Sequence, residues 1–495
     1  MYKLLLTIRY LRRKLIPLFA LAAVVLCVAM LIIVLSIMGG FHDLLKSSGS
    51  KQMGHVQMFS YSTTGFEGYQ LVIDHMVELP EVAAATPVIR TGALLKTPQR
   101  DVRLLEVYGI DAPSFGEVTR YHQTLFWNDQ AVARHDLGEW ARESALYEAG
   151  ATLSNPWPMY RGPDGEPMPA VVPGIEVNPN NVRTEEGAYR IGLTWLGQPV
   201  TLTLLPISTE GAAKEPVSLP FMVVNEFHSG LYEQDSERLF IPFAVAQAML
   251  DMDAADRVKR DARGNIVFDE YGMPVTEGRI PPRTHMIAFR AAENPATGDP
   301  FTPDQVQQAI AARYADLAES YDHLPHPDRL RIATWEQLMK RLLDTVRNEK
   351  NLMAFLFGIV SVVAVILILV IFYMIVLEKT RDIGILRALG ASRMGVASIF
   401  LTYAGAIGVV GSVVGTIVGV LFVFYINELH AWMGRNFGIV IWDRRVYFFD
   451  RIPNTVDPVE ITWIVLAAIV ASVIGAAIPA WLAARVDPVQ SLRYE

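Results

Sequence analysis

The stretch Asn351–Leu377, NLMAFLFGIVSVVAVILILVIFYMIVL, runs for 27 residues without Asp, Glu, Lys, Arg or His. As a helix it would be about 40 Å long, against a hydrocarbon core of about 30 Å. Lipid offers no partner to backbone N–H and C=O groups, so such a segment crosses as a helix that satisfies its own backbone. Three more runs share the property: Leu15–Phe41, Met394–Asn427 and Ile461–Ala484. Core helices of soluble domains rarely stay free of charge for so long. The expected fold class is therefore integral membrane α-helical, with four transmembrane helices. A large α/β (α+β) extracytoplasmic domain is inserted between helices 1 and 2.

Working outward from these runs divides the chain. We expect an interfacial helix at 1–14, spans at 15–38, 351–377, 394–427 and 461–484, and the inserted domain at 39–350. A cytoplasmic segment follows at 378–393, an outside loop at 428–460 and a cytoplasmic tail at 485–495. Short basic loops face the cytoplasm. The N-terminal flank carries Lys3, Arg9, Arg12, Arg13 and Lys14 and no acid, and 378–393 carries four bases against Glu378 and Asp382. Both are read as cytoplasmic, which puts 39–350 outside. That region holds 28 Lys and Arg against 42 Asp and Glu, a charge of −14, while the remainder is +6. The first span resembles a signal peptide, but its apolar run is too long and no small-residue cleavage site follows Met38-Gly39-Gly40, so it reads as an uncleaved anchor.

Composition narrows the function classes. The overall charge of −8 speaks against a nucleic-acid binder. The one cysteine, Cys27, lies in the first span, so the inserted domain has no disulfide available and stands on its own core, expected to form two subdomains. Strand patterns occur at Val102–Tyr108, Val200–Leu205, Phe221–Val224 and His285–Phe289. Thr302-Pro303-Asp304-Gln305 reads as a capping box opening a helix to about Leu317. Asn155–Pro173 and Asp251–Pro282 read as loops or insertions, the second with hairpin turns.

Two helical patterns stand out. Trp335, Leu338, Leu342 and Val346 fall at helical spacing in a stretch without Pro or Gly that runs toward the second span. One helix over both would form a stalk; an ordinary amphipathic packing helix accounts equally well for the pattern. In the third span Gly408, Gly411, Gly415 and Gly419, and in the fourth Ala471 and Gly475, give small-residue faces that permit close helix approach. They indicate a tight bundle or a dimer seam.

Several chemistries have no support. No glycine is followed by lysine, so no phosphate-binding loop of the Gly-x-x-x-x-Gly-Lys type occurs. The spans hold no ionisable Asp, Glu, Lys, Arg or His of the kind that carries coupled ions. His323 and His326 are separated by Pro325 and read as a surface loop rather than a metal site. No Gly-x-Ser-x-Gly elbow is present. Catalytic residues, metal ligands and cofactors are expected to be none in this chain.

The most informative segment is Glu378, Lys379, Thr380, Arg381, Asp382, Ile383, Gly384, Ile385, Leu386, Arg387, Ala388, Leu389, Gly390, Ala391. Its pattern reads as a short amphipathic helix, with Ile383, Leu386 and Leu389 on an apolar face and Arg381 and Arg387 exposed. This segment resembles the coupling element of ABC transporter permeases of the lipoprotein-releasing (LolC/LolE-like) and macrolide-exporter-like (MacB/FtsX-type) family. Pro479-Ala480-Trp481-Leu482-Ala483-Ala484-Arg485-Val486-Asp487-Pro488 is similar to a second hallmark of that family, and so is the order of one span, a large domain and three spans. Val446–Pro453 and Phe227–Ser236 resemble the lipoprotein-releasing branch.

The resemblance implies a bacterial inner-membrane permease subunit with both termini cytoplasmic and 39–350 periplasmic. It implies a cytoplasmic ABC ATPase dimer as partner, which binds the ATP and Mg, and a second permease chain, identical or different. The cargo it implies is a lipoprotein, extracted from the membrane and handed to a periplasmic carrier by mechanotransmission. Alternatives within the same frame are export of peptides, glycolipids or small toxic molecules, or a non-transporting signal relay to a cell-wall hydrolase.

Overall fold

The computed structural model describes residues 16–128, 160–161, 167–183, 189–207, 212–258, 267–269, 271, 273, 275–439 and 451–485. The expectations for 1–14, for Val446–Asp450 and for the tail beyond Arg485 lie outside these residues. The chain divides into two compact units, with the boundaries at Leu45/Lys46 and Lys340/Arg341.

The first unit is built from long apolar helices: Ile16–Met53, Lys340–Glu378, Arg393–Phe424 and Pro458–Ala484. All four are long and apolar enough to cross a membrane, and the protein is an integral membrane protein. Glycines set how these helices meet. A Cβ on Gly411 would come within 2.8 Å of Val24, and one on Gly415 within 2.9 Å of the Val25 carbonyl oxygen and of Val28. At Gly419 it would come within 3.2 Å of Ala29 and Ile32. The glycine stripe of the third helix is thus filled by the first helix of the same chain. Gly408 faces Ser472 and Ile469 of the fourth helix, and Gly475 of the fourth faces the Val365 carbonyl and Ile368 of the second. Close backbone approach of this kind substitutes for a hydrophobic driving force that lipid does not supply. Phe372 and Tyr403 meet edge to face at 5.6 Å between the second and third helices.

Polar contacts fasten the same bundle. Lys350 pairs with Glu460 at 2.5 Å, joining the second helix near its start to the start of the fourth. Cys27 Sγ and Ser361 Oγ lie 3.2 Å apart. They border a cavity of about 150 Å³ between the first, second and fourth helices, where Ala471 is also found.

The second unit is an α/β domain around a nine-stranded sheet. We number its strands β1 (Val56–Ser60), β2 (Val82–Lys96), β3 (Val102–Ile110), β4 (Ala170–Pro173), β5 (Pro199–Leu204), β6 (Val217–Val223), β7 (Arg238–Pro242), β8 (Met286–Ala291) and β9 (Leu330–Thr334). The order is β5-β6-β4-β7-β3-β2-β8-β1-β9, and β5 also pairs with β2. That extra pairing, Thr201↔Lys96 to Leu204↔Ala93, closes six strands into a ring. The 15-residue β2 makes this possible, because one part pairs with β8 and its end with β3 and β5.

Alternation along the strands separates two cores. Leu95, Val107, Val171, Leu202, Phe221, Leu239 and Ile241 belong to one. Tyr108, Val172, Met222 and Phe240 point the other way, onto Phe115, Tyr121, Trp127 and Phe227. On the open part of the sheet, helix Pro303–Ser320 buries Val306, Ile310, Tyr314 and Leu317. Its capping box forms as the sequence suggests, with Thr302 Oγ1 accepting the Gln305 N–H at 3.4 Å and Gln305 Oε1 accepting the Thr302 N–H at 2.9 Å. Part of Asp251–Pro282 forms a hairpin of Ala255–Val258 with Thr276–Ile280.

Candidate functional site

The segment singled out by sequence forms the turn between the second and third long helices. The second helix ends at Glu378, and Thr380 caps its last carbonyls, its hydroxyl donating to Leu377 O at 2.8 Å and Val376 O at 3.0 Å. A separate helix follows at Thr380–Ala388. Gly390 takes φ +96°, a left-handed conformation that suits glycine after a helix end. Ser392 then opens the third long helix, its Oγ accepting the Gly395 N–H at 3.0 Å.

The buried face of this short helix differs from the face expected. Ile383 (2% exposed) and Gly384 turn inward, and Ile383 packs with Val376, Val396, Phe400, Ala480 and Ala483. Leu386 and Leu389, expected to share one apolar face with Ile383, are instead exposed, Leu389 by 80%, together with Ile385, Ala388 and Arg381. Arg387, expected outside, is turned in, and its Nη1 donates to the Ala484 carbonyl at 2.5 Å. The physical reason is that the final carbonyls of a helix have no partner within it. The fourth helix ends at Ala484, and the guanidinium fork is the donor that reaches it. Lys379 pairs with Asp382 at 2.8 Å along the turn. The turn thus shows Ile385, Leu386, Leu389 and Arg381 to the surroundings, beside the exposed acids Glu378 and Asp382, while its other face is fixed to the ends of three long helices. Such a surface can dock into an apolar groove on another protein.

Of the two readings of Trp335–Val346, a single continuous stalk helix does not form. Thr334 starts a short helix, Trp335–Leu338, through a capping box with Gln337. Met339, at φ −90° and ψ 5°, ends it, and the long helix begins at Lys340. Trp335 is buried in the α/β unit, its N–H donating to the His55 carbonyl at 3.2 Å. Leu338 belongs to that unit as well, whereas Leu342 and Val346 lie on the long helix. Trp335 is thus held by the α/β unit on one side of the break at Met339, and Leu342 and Val346 follow on the other.

Sequence reasoning gave no role to the acids of Asn225–Ser236. Glu226 is fully buried, accepting the Trp127 Nε1–H and an Asn181 Nδ2–H, both at 2.9 Å. Asp235 accepts the Ser229 N–H and hydroxyl, both at 2.7 Å, and the Gly230 N–H at 3.1 Å. Burial pushes both carboxyls up to about 7 despite these donors, and the charge of Glu176 raises Asp235 further. The Tyr189 hydroxyl donates to Glu176 at 2.8 Å. The only sequence signal was the run of polar residues within a motif-like stretch.

Residues 354–488 match the family model of the FtsX-like permease C-terminal domain. The lipoprotein-releasing system transmembrane protein LolC of Xylella fastidiosa is 30% identical over 164 residues, 33% of this chain and 40% of that one. LolC of Neisseria meningitidis is 29% identical over 168 residues, 34% of this chain and 40% of that one. LolE of Haemophilus influenzae is 25% identical over 199 residues, 39% of this chain and 47% of that one. The chain therefore spans less than half the length of these curated relatives. Among solved structures, the periplasmic region of MacB from Actinobacillus actinomycetemcomitans is 10% identical, with a TM-score of 0.28, covering 59% of this chain and 95% of that one. Over residues 354–488 the chain is thus similar to the FtsX-like permease C-terminal domain, and over about a third of its length to the LolC and LolE permeases.

Proposed function

We propose that this chain is the membrane subunit of an ABC transporter that extracts lipoproteins from the inner membrane, driven by ATP hydrolysed on a partner subunit. The observation that carries this reading is the turn Glu378–Ala391, whose exposed Ile385, Leu386 and Leu389 offer a docking face. Closure of the ATPase pair beneath that face would push on the helix ends fixed behind it. The α/β unit would work on the periplasmic side, beside a second permease chain. The relatives named for lipoprotein release support the choice of cargo. So does the energy scale: each buried CH₂ of an acyl chain holds an anchor by about 0.8 kcal/mol, so removing an acylated protein needs an external drive.

Leu386→Glu and Leu389→Glu change exposed positions and should leave insertion and folding intact. Each is expected to reduce co-purification of the ATPase from the native host at least tenfold and to stop lipoprotein release in spheroplasts. Normal ATPase recovery with both variants would remove the docking role. A second reading, export of a different amphiphile, is favoured by the hairpin Ala255–Val258/Thr276–Ile280, which the sequence marks as an insertion. Lipid and protein analysis of the purified complex separates the two. Bound acylated protein supports lipoprotein release, and bound glycolipid without it supports the alternative.

A further inference from the structure

The α/β unit contains a pocket that the coupling turn does not explain. It has a volume of about 590 Å³ and lies on the surface of β1, between the Ser60–Thr63 loop, Arg90 and Leu338–Met339. That size falls within the range of small-molecule sites.

Its electrostatics are set by a three-member cluster. Glu106 accepts from Arg90 Nε at 2.5 Å on one oxygen and from Arg238 Nε and Nη2 at 3.2 and 3.0 Å on the other. Two guanidinium groups share one carboxylate, so the cluster keeps one surplus positive charge. Arg238 is enclosed and lies 4.2 Å over the Tyr108 ring. Arg90 is the member that lines the pocket, with its side chain 55% exposed, and no described residue accepts a hydrogen bond from its terminal Nη groups.

Nothing else among the described lining residues carries charge. His285 Nδ1 accepts the Arg90 backbone N–H at 3.2 Å, so its Nε2 bears the proton and donates to Thr63 O at 2.9 Å. Both ring nitrogens are occupied by the neutral tautomer, and burial with the nearby Arg283 lowers the ring's pKa further. A cationic pocket is notable where acids outnumber bases 42 to 28. Around the cation the walls are mixed: Phe59, Tyr61, Leu338 and Met339 give an apolar side, while Ser60, Ser62 and Thr63 give a polar one.

We propose that this pocket binds an anionic amphiphile, with a phosphate or carboxylate head on Arg90 and a hydrocarbon portion against Phe59, Tyr61, Leu338 and Met339. The guanidinium fork matches such oxyanions in shape and charge. Anionic phospholipids supply this chemistry, and a free phosphate supplies the head alone. The site stands independently of the cargo reading above, since it uses none of the coupling residues.

The test uses the full chain in dodecyl maltoside and reads bound ligand by native mass spectrometry. The probes are lauroyl-lysophosphatidylglycerol and lauroyl-lysophosphatidylcholine, which differ in head charge but not in tail. We expect one saturable anionic adduct, with loading by the zwitterion at least tenfold lower. Arg90→Gln and Ser62→Glu should each lower anionic loading at least tenfold. The second places a carboxylate on the exposed loop without touching the Arg90–Glu106 pair. Loss in Arg90→Gln with full loading in Ser62→Glu would mean that Arg90 acts only through the fold, and overturns the site. Equal loading by the two lysolipids also overturns it. Displacement of the lysolipid by an equal concentration of inorganic phosphate would make this a free-anion site and remove the amphiphile.

Discussion

Replacing Gly415 with leucine is expected to unseat the third long helix from the first. A Cβ alone would stand 2.9 Å from the Val25 carbonyl oxygen and 2.9 Å from Val28 Cβ, distances that real contacts do not reach. Three further carbons have nowhere to go without separating the backbones. Overpacking a tight interior costs about 1–3 kcal/mol and at times more. Here the cost should reach the upper end, because the obstacle includes backbone and lipid does not drive the helices back together. The thermal midpoint of the detergent-solubilised chain should fall by many degrees, with Gly415→Ala intermediate. Gly358→Leu is the internal control, since nothing lies within 4 Å of a Cβ built there. If Gly415→Leu melts with the parent chain, the seam between these helices is misassigned.

The share of the α/β unit's stability that Glu226 and Asp235 supply is expected to fall as pH rises from about 5 to 7 and to level off above that. Asp235 and Glu226 titrate near 3.8 and 4.5 when unperturbed, and burial raises both to about 7. Between those limits the folded state holds protons that the unfolded chain has released. The contribution is therefore complete below the unfolded values and vanishes as pH climbs through the folded ones. A tenfold difference in proton affinity between the folded and unfolded chain is worth about 1.4 kcal/mol, so the two groups together account for several kcal/mol. Asp235→Asn imitates the protonated acid. It gives up the bond from Gly230 N–H but should roughly halve the dependence on pH. Thermal unfolding of the full chain followed by tryptophan fluorescence reads this through Trp127, whose indole bonds Glu226. Burial lowers the pKa of His55 and His285, which act in the opposite direction. The decisive reading is therefore the difference between the parent and Asp235→Asn: an unchanged pH dependence in the variant would refute the assignment.

Much of the membrane unit was legible in the sequence because length and absence of charge are additive properties that need no partner. The glycine period was legible as well, but its occupant was not. Spacing announces that a helix will come close without saying which one, and the first helix takes that place. Arg387 was misread for a related reason. A nine-residue helix gives a weak amphipathic signal, and what turned the guanidinium inward was the bare Ala484 carbonyl, 97 residues away in the chain. The break at Met339 comes just after Trp335, which the α/β unit holds. In the α/β unit several strands could be read from alternation. The closure of β5 onto β2 could not, because it depends on the unusual length of β2 and on pairings far apart in sequence. The anion-seeking pocket escaped notice because its charge arises from a two-to-one ratio assembled by β2, β3 and β7.

The second and fourth long helices are joined near one end and in the middle, and the short turn helix holds the fourth at its other end. Lys350 holds Glu460 at one end, Gly475 is seated on Val365 halfway, and Arg387 grips the last carbonyl at the other end. Two rods tied at two points, with the fourth also held by the turn that follows the second, resist sliding past each other. Tilting or turning as a single plank is the freedom left to them, which is the movement by which a push on the turn would reach the far rim.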